Sequence, residues 1–457
     1  MSRVLDELRS ALGADHVLTD DAIGNDYTHD EALTATPVRP LAVVRPGDAT
    51  EVAAVLRIAN EHRVPVTARG AGTGLSGAAI PRADGILLST ERMHEILEID
   101  HDNHVAVVQA GVTLEQLDAA LLGDGLVYPV FPGEYSASLG GNVATNAGGM
   151  RAVKYGVTRH QVLGVEAVLA TGEIIRTGGK FVKATTGYDL TQLIIGSEGT
   201  LAIVTEATLK LYPRPPHTAT VLAPFRTLED VTNAVPAIVN AGVQPMILEY
   251  IDMMSMAATT ANVGLDLGIP ADITDHALAY LVVVMEAHAP DRLDEDVEAV
   301  ALLLGKLAAM DVYILPSSSG AKLLEAREKA FWVAKSHGAN DIIDVVVPRA
   351  SVPRYLATVS EIAQRHDTWV AGAGHAGDGN VHLSVFQADD DRRTTVMREI
   401  LRAGIDLGGA ISAEHGIGTE KKRYFLELED PVKIDLMRRV KVAFDPNGIL
   451  NPGTLLD

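Results

Sequence analysis

The 457-residue sequence contains no cysteine. That excludes disulfides, thiol nucleophiles, cysteine-ligated zinc and cysteine-ligated iron–sulfur clusters, and leaves any metal to His, Asp and Glu. Aromatic residues make up only 4%. Few platforms remain for stacking single-stranded nucleic acid or for an aromatic belt at a membrane surface. Cations are outnumbered, with Lys+Arg 38 against Asp+Glu 60 and a formal net charge of −22 with His neutral. Such a surface repels phosphate backbones, so nucleic acid is not an expected partner. Long apolar runs are missing too: the longest, residues 277–285, is far short of the ~18 residues a membrane span needs. Asp6 and Glu7 sit where a secretory leader would carry basic and then apolar residues. These absences together read as a soluble, cytoplasmic protein.

What is present is enough apolar residue for large cores, 47% of the chain, and a length of roughly two or three domains at about 150 residues each. Residues 41–46 read as a short strand. Asp48 with Glu51 three positions later resembles a capping box opening a helix over 52–62, and 64–68 reads as a strand again. Glycine is dense over 70–77, 133–149 and 187–199, next to apolar β-type runs at 162–170 and 201–211. There it permits positive φ and close approach of backbone to a ligand. The segment Tyr212-Pro-Arg-Pro-Pro216 is a stiff connector and the natural domain boundary. Beyond it, helical patterns at 230–240, 292–310 and 323–337 alternate with apolar runs at 279–286 and 342–347. That alternation predicts an α+β domain with a largely antiparallel sheet. The turn-rich tail at 444–453 must be tied down to be ordered.

Gly72-Thr-Gly-Leu-Ser-Gly77 matches G-x-G-x-x-G, the dinucleotide loop of doubly wound folds. That loop opens a helix. Here Pro81 follows closely and residues 85–89 already read as a strand, so the loop is better read as a strand-to-strand cradle with backbone N–H groups facing a pyrophosphate. A second stretch, Leu139-Gly-Gly-Asn-Val-Ala-Thr-Asn-Ala-Gly-Gly149, can lay backbone against a flat ring and offer amides to its edge. Gly196-Ser-Glu-Gly-Thr-Leu-Ala-Ile-Val204 is a third.

Near the C-terminal end, Gly374-His-Ala-Gly-Asp-Gly-Asn-Val-His382 and Ser412-Ala-Glu-His-Gly-Ile-Gly418 gather three histidines and a glutamate. Glycines around His375 and His382 predict a bend that brings both imidazoles to one point. Two neutral histidines and a carboxylate with an open position form a ligand set for catalytic zinc, usable also by Mn or Fe. Neighbours on a strand point to opposite faces. Glu414 and His415 therefore reach one site only from a turn, which Gly416 and Gly418 permit.

The three glycine stretches, in this order and spacing, resemble the FAD-binding domain of the vanillyl-alcohol-oxidase/p-cresol-methylhydroxylase superfamily. The whole chain is similar to its branch of FAD-dependent D-2-hydroxyacid dehydrogenases, which holds D-lactate dehydrogenase, D-2-hydroxyglutarate dehydrogenase and the glycolate oxidase D-subunit. The resemblance implies an α+β fold: a two-part FAD-binding domain over 1–216, a cap and metal domain over 217–419, and a segment over 420–457 that returns to the FAD domain. It implies that Arg69, Gly70, Ala71, Gly72, Thr73, Gly74, Leu75 and Gly77 line the pyrophosphate. Pro132, Gly141, Asn142, Thr145, Asn146, Gly149, Gly199, Ile203 and Asn451 would complete the flavin site. Covalent relatives attach the flavin through a His in the first loop; Thr73 stands near that point, so FAD is expected to be non-covalent.

The same resemblance gives His375, His382 and Glu414 as metal ligands, His415 as the base and Arg327 as the grip on a substrate carboxylate. Taken alone, Arg327 reads as part of a solvated helix face beside Glu325, Glu328 and Lys329. The implied reaction oxidises a D-2-hydroxy acid, D-lactate or glycolate foremost, to the 2-oxo acid by hydride transfer to FAD N5. Electrons then pass to a separate acceptor, namely an electron-transfer flavoprotein, a quinone, a cytochrome or oxygen. Relatives acting on 2-hydroxyglutarate carry a basic residue in the strand after the Arg327 helix. That strand here reads Asp341-Ile-Ile-Asp344, which argues against a dicarboxylate unless Lys335 or Arg349 compensates. Rival readings are a metallohydrolase on the His/His/Glu set, which leaves the glycine stretches unexplained, and a non-catalytic subunit of a flavoprotein complex. Homodimerisation is the default expectation.

Overall fold

The structure is a computed structural model and describes residues 2–456. It divides into two compact units. The first comprises residues 1–147, 157–213 and 414–457; the second comprises 148–156 and 214–413. Residues 148–156 go with the second unit because Met150 lies in its core and Lys154 pairs with Glu286 at 2.9 Å.

The first unit opens with the amphipathic helix Ser2–Leu12, which buries Val4, Leu8 and Leu12. A four-stranded sheet follows, in the order Val17–Leu18, Ala42–Val44, Ile86–Ser89, Val66–Arg69. Its last three strands run parallel. The helix Ala49–His62 covers it with Val52, Val55, Leu56 and Ala59. Asp48 caps that helix through the N–H groups of Thr50 and Glu51. Glu51 reaches past the cap to the N–H of Gly47 at 2.7 Å, one residue beyond a standard capping box.

A second, antiparallel sheet has the order Ile96–Asp100, Val105–Gln109, Ile203–Lys210, Val162–Val168, Ile174–Gly178. The helices Leu114–Leu122 and Leu139–Thr145 share its core. The latter helix is not expected from a stretch so rich in glycine. Ser138 caps its start by accepting from the Gly141 N–H, and Asn146 ends it in the left-handed conformation at φ 54°. Gly140 is required inside it because a Cβ there would stand 2.6 Å from the Ala110 Cβ.

The second unit is built on a seven-stranded antiparallel sheet. Its order is Tyr313–Leu315, His217–Phe225, Ala279–Ala287, Ile247–Asp252, Trp369–His375, Asn380–Phe386, Asp341–Val346. The helices Leu228–Asn240, Met253–Asn262, Pro290–Lys306 and Val352–Arg365 pack on it. The single helix expected over 323–337 is two, Ser317–Glu328 and Ala330–Ser336, because Lys329 leaves helical geometry with ψ 4°. The apolar run at 277–285 is mostly the central strand Ala279–Ala287, buried along nearly its whole length. No helix among the described residues is long and apolar enough to cross a membrane.

Candidate flavin and hydroxy-acid site

In the first unit the strand Val66–Arg69 runs straight into the glycine loop, and no helix intervenes before Ile86–Ser89. The expected strand-to-strand loop is therefore what forms. Gly72 and Gly77 hold φ of +76° and +80°, and a Cβ on Gly70 would stand 2.0 Å from the Ser138 Oγ. The buried Arg69 lies against Gly72 and donates to the His29 carbonyl at 2.5 Å; burial lowers its pKa. Asp30 accepts from the N–H groups of Ala32 and Ala79, and burial raises its pKa.

Other expected flavin residues divide by what engages them. Asn142 is 4% exposed, and its Nδ2 has no hydrogen-bond partner among the described residues. A buried amide donor left open in this way fits an absent polar ligand, as does a loop in which Gly70, Gly72 and Gly77 leave no room for a Cβ. Thr145 donates back to the Gly141 carbonyl, and Asn146 accepts from the Arg159 N–H at 2.9 Å. Both thus stabilise the Leu139–Thr145 helix. Gly199 sits at φ +70° and Ile203 is buried at the start of its strand. Pro132 is half-buried, and Gly149 falls in the 148–156 segment of the second unit.

Asn451 returns to this unit. Its Nδ2 donates to the carbonyls of Ala78 (3.0 Å) and Glu198 (2.8 Å), and its N–H donates to Val66 at 2.7 Å. Glu414 and His415 open the returning segment in a bend, as the flanking glycines require. Ser76 of the glycine loop donates to the His415 carbonyl at 2.7 Å. Glu198 accepts the N–H groups of Ile417 and Gly418, each at 2.7 Å, and burial raises its pKa. Ser76 and Glu198 occur in the sequence motifs, but nothing in the motifs shows that they fasten the His415 segment.

In the second unit the sheet register assembles a polar face. Ile251 pairs with Ala373, and Ala373 pairs with His382, which pairs with Asp344. Partners across a ladder share a face, and so do residues two apart on one strand. Glu249, His375, His382 and Asp344 therefore project from the same side of four adjacent strands. The bend expected between the histidines is a tight hairpin turn. It sets the two rings edge to face, 4.7 Å between centroids at 74°. Each histidine has a carboxylate behind it. The His375 Nδ1 is 2.5 Å from the Glu249 Oε1, and the His382 Nδ1 is 3.5 Å from the Asp344 Oδ1. In both cases the carboxylate engages Nδ1. Two imidazoles so oriented and so backed fit a divalent metal.

Asp344 is fully buried. It also accepts from Asn380 Nδ2 (3.0 Å), Ser412 Oγ (2.7 Å) and the Ala413 N–H (3.0 Å), which fixes the chain leading into Glu414. Arg327 is not on a solvated face. Its side chain is 12% exposed, with Nη2 3.0 Å from the Glu249 Oε2. Its Nη2 meets Glu249 as an ion pair, and its Nε has no hydrogen-bond partner among the described residues. A planar guanidinium fork suits a carboxylate partner. Glu249 and Asp344 carry no motif. Their trace in the sequence is a charge inside a largely apolar strand.

Residues 40–178 match the family described as FAD binding domain, and residues 214–455 match FAD linked oxidases, C-terminal domain. An uncharacterised FAD-linked oxidoreductase of Mycobacterium tuberculosis is 56% identical, covering 100% of this chain and 99% of that one. A D-lactate dehydrogenase of Archaeoglobus fulgidus is 40% identical over 91% of each chain. Among solved structures, 4-ethylphenol oxidase from Gulosibacter chungangensis superposes with a TM-score of 0.80 at 21% identity, covering 99% of this chain and 96% of that one. The chain belongs to the FAD-linked oxidases and has the fold of the vanillyl-alcohol-oxidase/p-cresol-methylhydroxylase superfamily.

Proposed function

We propose that this FAD-linked oxidoreductase oxidises a small D-2-hydroxy acid, D-lactate or glycolate, to its 2-oxo acid. The observation that carries the reading is the polar face of the second unit: a buried arginine with an open Nε, tied through one carboxylate to the first of two adjoining histidines. Arg327 would clamp the substrate carboxylate with its planar fork. His375, His382 and Glu414 would hold a divalent cation, zinc foremost, with Mn or Fe as alternatives. When bound, that cation makes the substrate hydroxyl more acidic. His415 would take the hydroxyl proton, a role suited to a group that titrates near neutral pH. FAD, held non-covalently by the glycine loop 70–77, Asn142 and their neighbours, supplies the two-electron acceptor.

Absence of cysteine means that no Cys-ligated cluster in this chain can relay electrons, so a separate acceptor would complete the turnover. The strand Asp341–Val346 offers no cation, and its Asp344 is already bonded to Asn380 and Ser412. That favours a monocarboxylate over a dicarboxylate substrate.

The test is the visible spectrum of purified protein, followed anaerobically against a panel of D- and L-2-hydroxy acids. A flavin spectrum bleached by D-lactate or glycolate is expected. His415→Ala should keep the flavin and slow the bleaching by roughly 10²–10⁴-fold, the usual contribution of a general base. Protein that takes up FAD but is bleached by no 2-hydroxy acid would sink the reaction assigned here.

A further inference from the structure

Glu249 has no part in the reaction just described, yet it touches both halves of the machinery. It is fully buried in the strand Ile247–Asp252, among Ile247, Leu248, Tyr250 and Ile251. Its two carboxylate oxygens serve different groups. Oε1 lies 2.5 Å from the His375 Nδ1, and Oε2 lies 3.0 Å from the Arg327 Nη2. A carboxylate this deep is costly unless cations or donors surround it. Here those donors are a histidine assigned to the metal and the arginine assigned to the substrate.

From this geometry we infer that Glu249 is the positioning residue shared by the metal and carboxylate ends of the site. The inference rests on the functional reading above. Accepting from Nδ1 fixes the tautomer of His375, so that Nε2 carries the lone pair; such partners also raise ligand basicity. The same carboxylate holds the Arg327 fork at a set distance from that ring. Among the described residues Arg327 has no other ion pair, and its buried Nε, which has no hydrogen-bond partner there, stays open for substrate. One side chain therefore sets the spacing between cation and guanidinium, the two points that grip a 2-hydroxy acid by its hydroxyl and its carboxylate. A counter-ion that only neutralised Arg327 would have no consequence at His375.

The test compares Zn²⁺ affinity, by chelator competition, with KM and kcat for the active 2-hydroxy acid in FAD-loaded protein. Wild type, Glu249→Gln, Glu249→Asp and His375→Ala are the four forms. Glu249→Gln keeps the shape but removes the charge. Glu249→Asp keeps the charge but is a methylene too short to reach both partners. Both variants should bind Zn²⁺ about 10–100-fold more weakly, the usual effect of losing such a partner. KM should rise by a larger factor than kcat falls, because the interaction lost is one of substrate binding. If wild type binds Zn²⁺ in a His375-dependent way and both variants match it, the role of Glu249 is overturned and the metal reading stands. If wild type shows no His375-dependent Zn²⁺, the metal reading fails and takes this inference with it. Should Glu249→Gln fail to fold, Glu249→Asp carries the same comparison.

Discussion

Buried charge is the feature that organises this molecule at the scale of single residues, and only part of it was readable in advance. His375, His382, Glu414 and His415 stood out because histidines and a carboxylate fell inside glycine-rich motifs. Glu249 and Asp344 did not, since an acid inside a largely apolar strand has no spacing to mark it; its burial and partners appear only when strands pair. Arg327 was ambiguous for a similar reason. Its neighbours Glu325 and Lys329 form an exposed i,i+4 ion pair at 2.7 Å, which is what a solvated helix face looks like, while Arg327 itself turns inward. Glu328, beside it, is also partly buried, and desolvation pushes its carboxyl up to about 7 from an ordinary 4.5. The native state then holds a proton that the unfolded chain has already released between pH 4.5 and 7. Stability from this group is complete below that window and is lost as pH rises through it. Glu328→Gln should flatten the dependence. Its melting temperature relative to wild type should be higher at pH 8 than at pH 5, measured by thermal unfolding of FAD-loaded protein. An unchanged difference across that range would mean that Glu328 titrates as an ordinary carboxylate.

Among elements, the strands were legible and the joints less so. The runs at 162–170, 201–211, 279–286 and 342–347 all became strands, displaced by a residue or two at their ends. Periodicity of apolar residues survives burial, so it reads through. The helix Leu139–Thr145 did not read through, because two glycines at its start mask the helical pattern. Its stability comes from the Ser138 cap and from close packing on Ala110, both tertiary facts. The tail was expected to need tying down, and the structure shows the knot. Lys441 is buried and donates to the carbonyls of Thr200 and Leu450, each at 2.8 Å, and to Asp445. Asn451 then joins Ala78 at the end of the glycine loop to Glu198, which holds the N–H groups of Ile417 and Gly418. Asn451→Ala would leave the carbonyls of Ala78 and Glu198 without this donor. At about 1–3 kcal/mol for each buried group left unsatisfied, the variant should unfold several degrees below wild type. It should also bind FAD more weakly, read by titration of apoprotein with FAD. A variant with wild-type affinity and melting temperature would show that the knot is dispensable.

For the whole molecule, sequence order and spatial order diverge, and this is where reading along the chain gives out. The FAD unit is made from three separated pieces, and the third arrives about 200 residues after the second ends. No local pattern says that residues 449–451 join the sheet at its edge strand Val66–Arg69, yet Leu450 bridges Val66 in parallel and the Val66 N–H bonds the Ile449 carbonyl at 2.7 Å. Ile449 and Leu450 belong to the same core as the strands and helices of the first sheet. The last thirteen residues therefore complete the flavin unit, and their removal should be felt there. A chain ending at Phe444 loses the Asp445 and Leu450 partners of Lys441, the Val66 bridge and every bond of Asn451. It leaves the buried Lys441 ammonium with one carbonyl acceptor, a costly arrangement for a charge removed from water. The strand Val66–Arg69, which leads into the glycine loop 70–77, loses its outer neighbour. Truncated protein should purify without flavin colour and should gain little thermal stability from FAD added at concentrations that stabilise the full chain, since a ligand stabilises only as it binds. Stoichiometric flavin in the truncated protein, with the full-length shift in melting temperature, would mean that the glycine loop is held by the first two pieces alone.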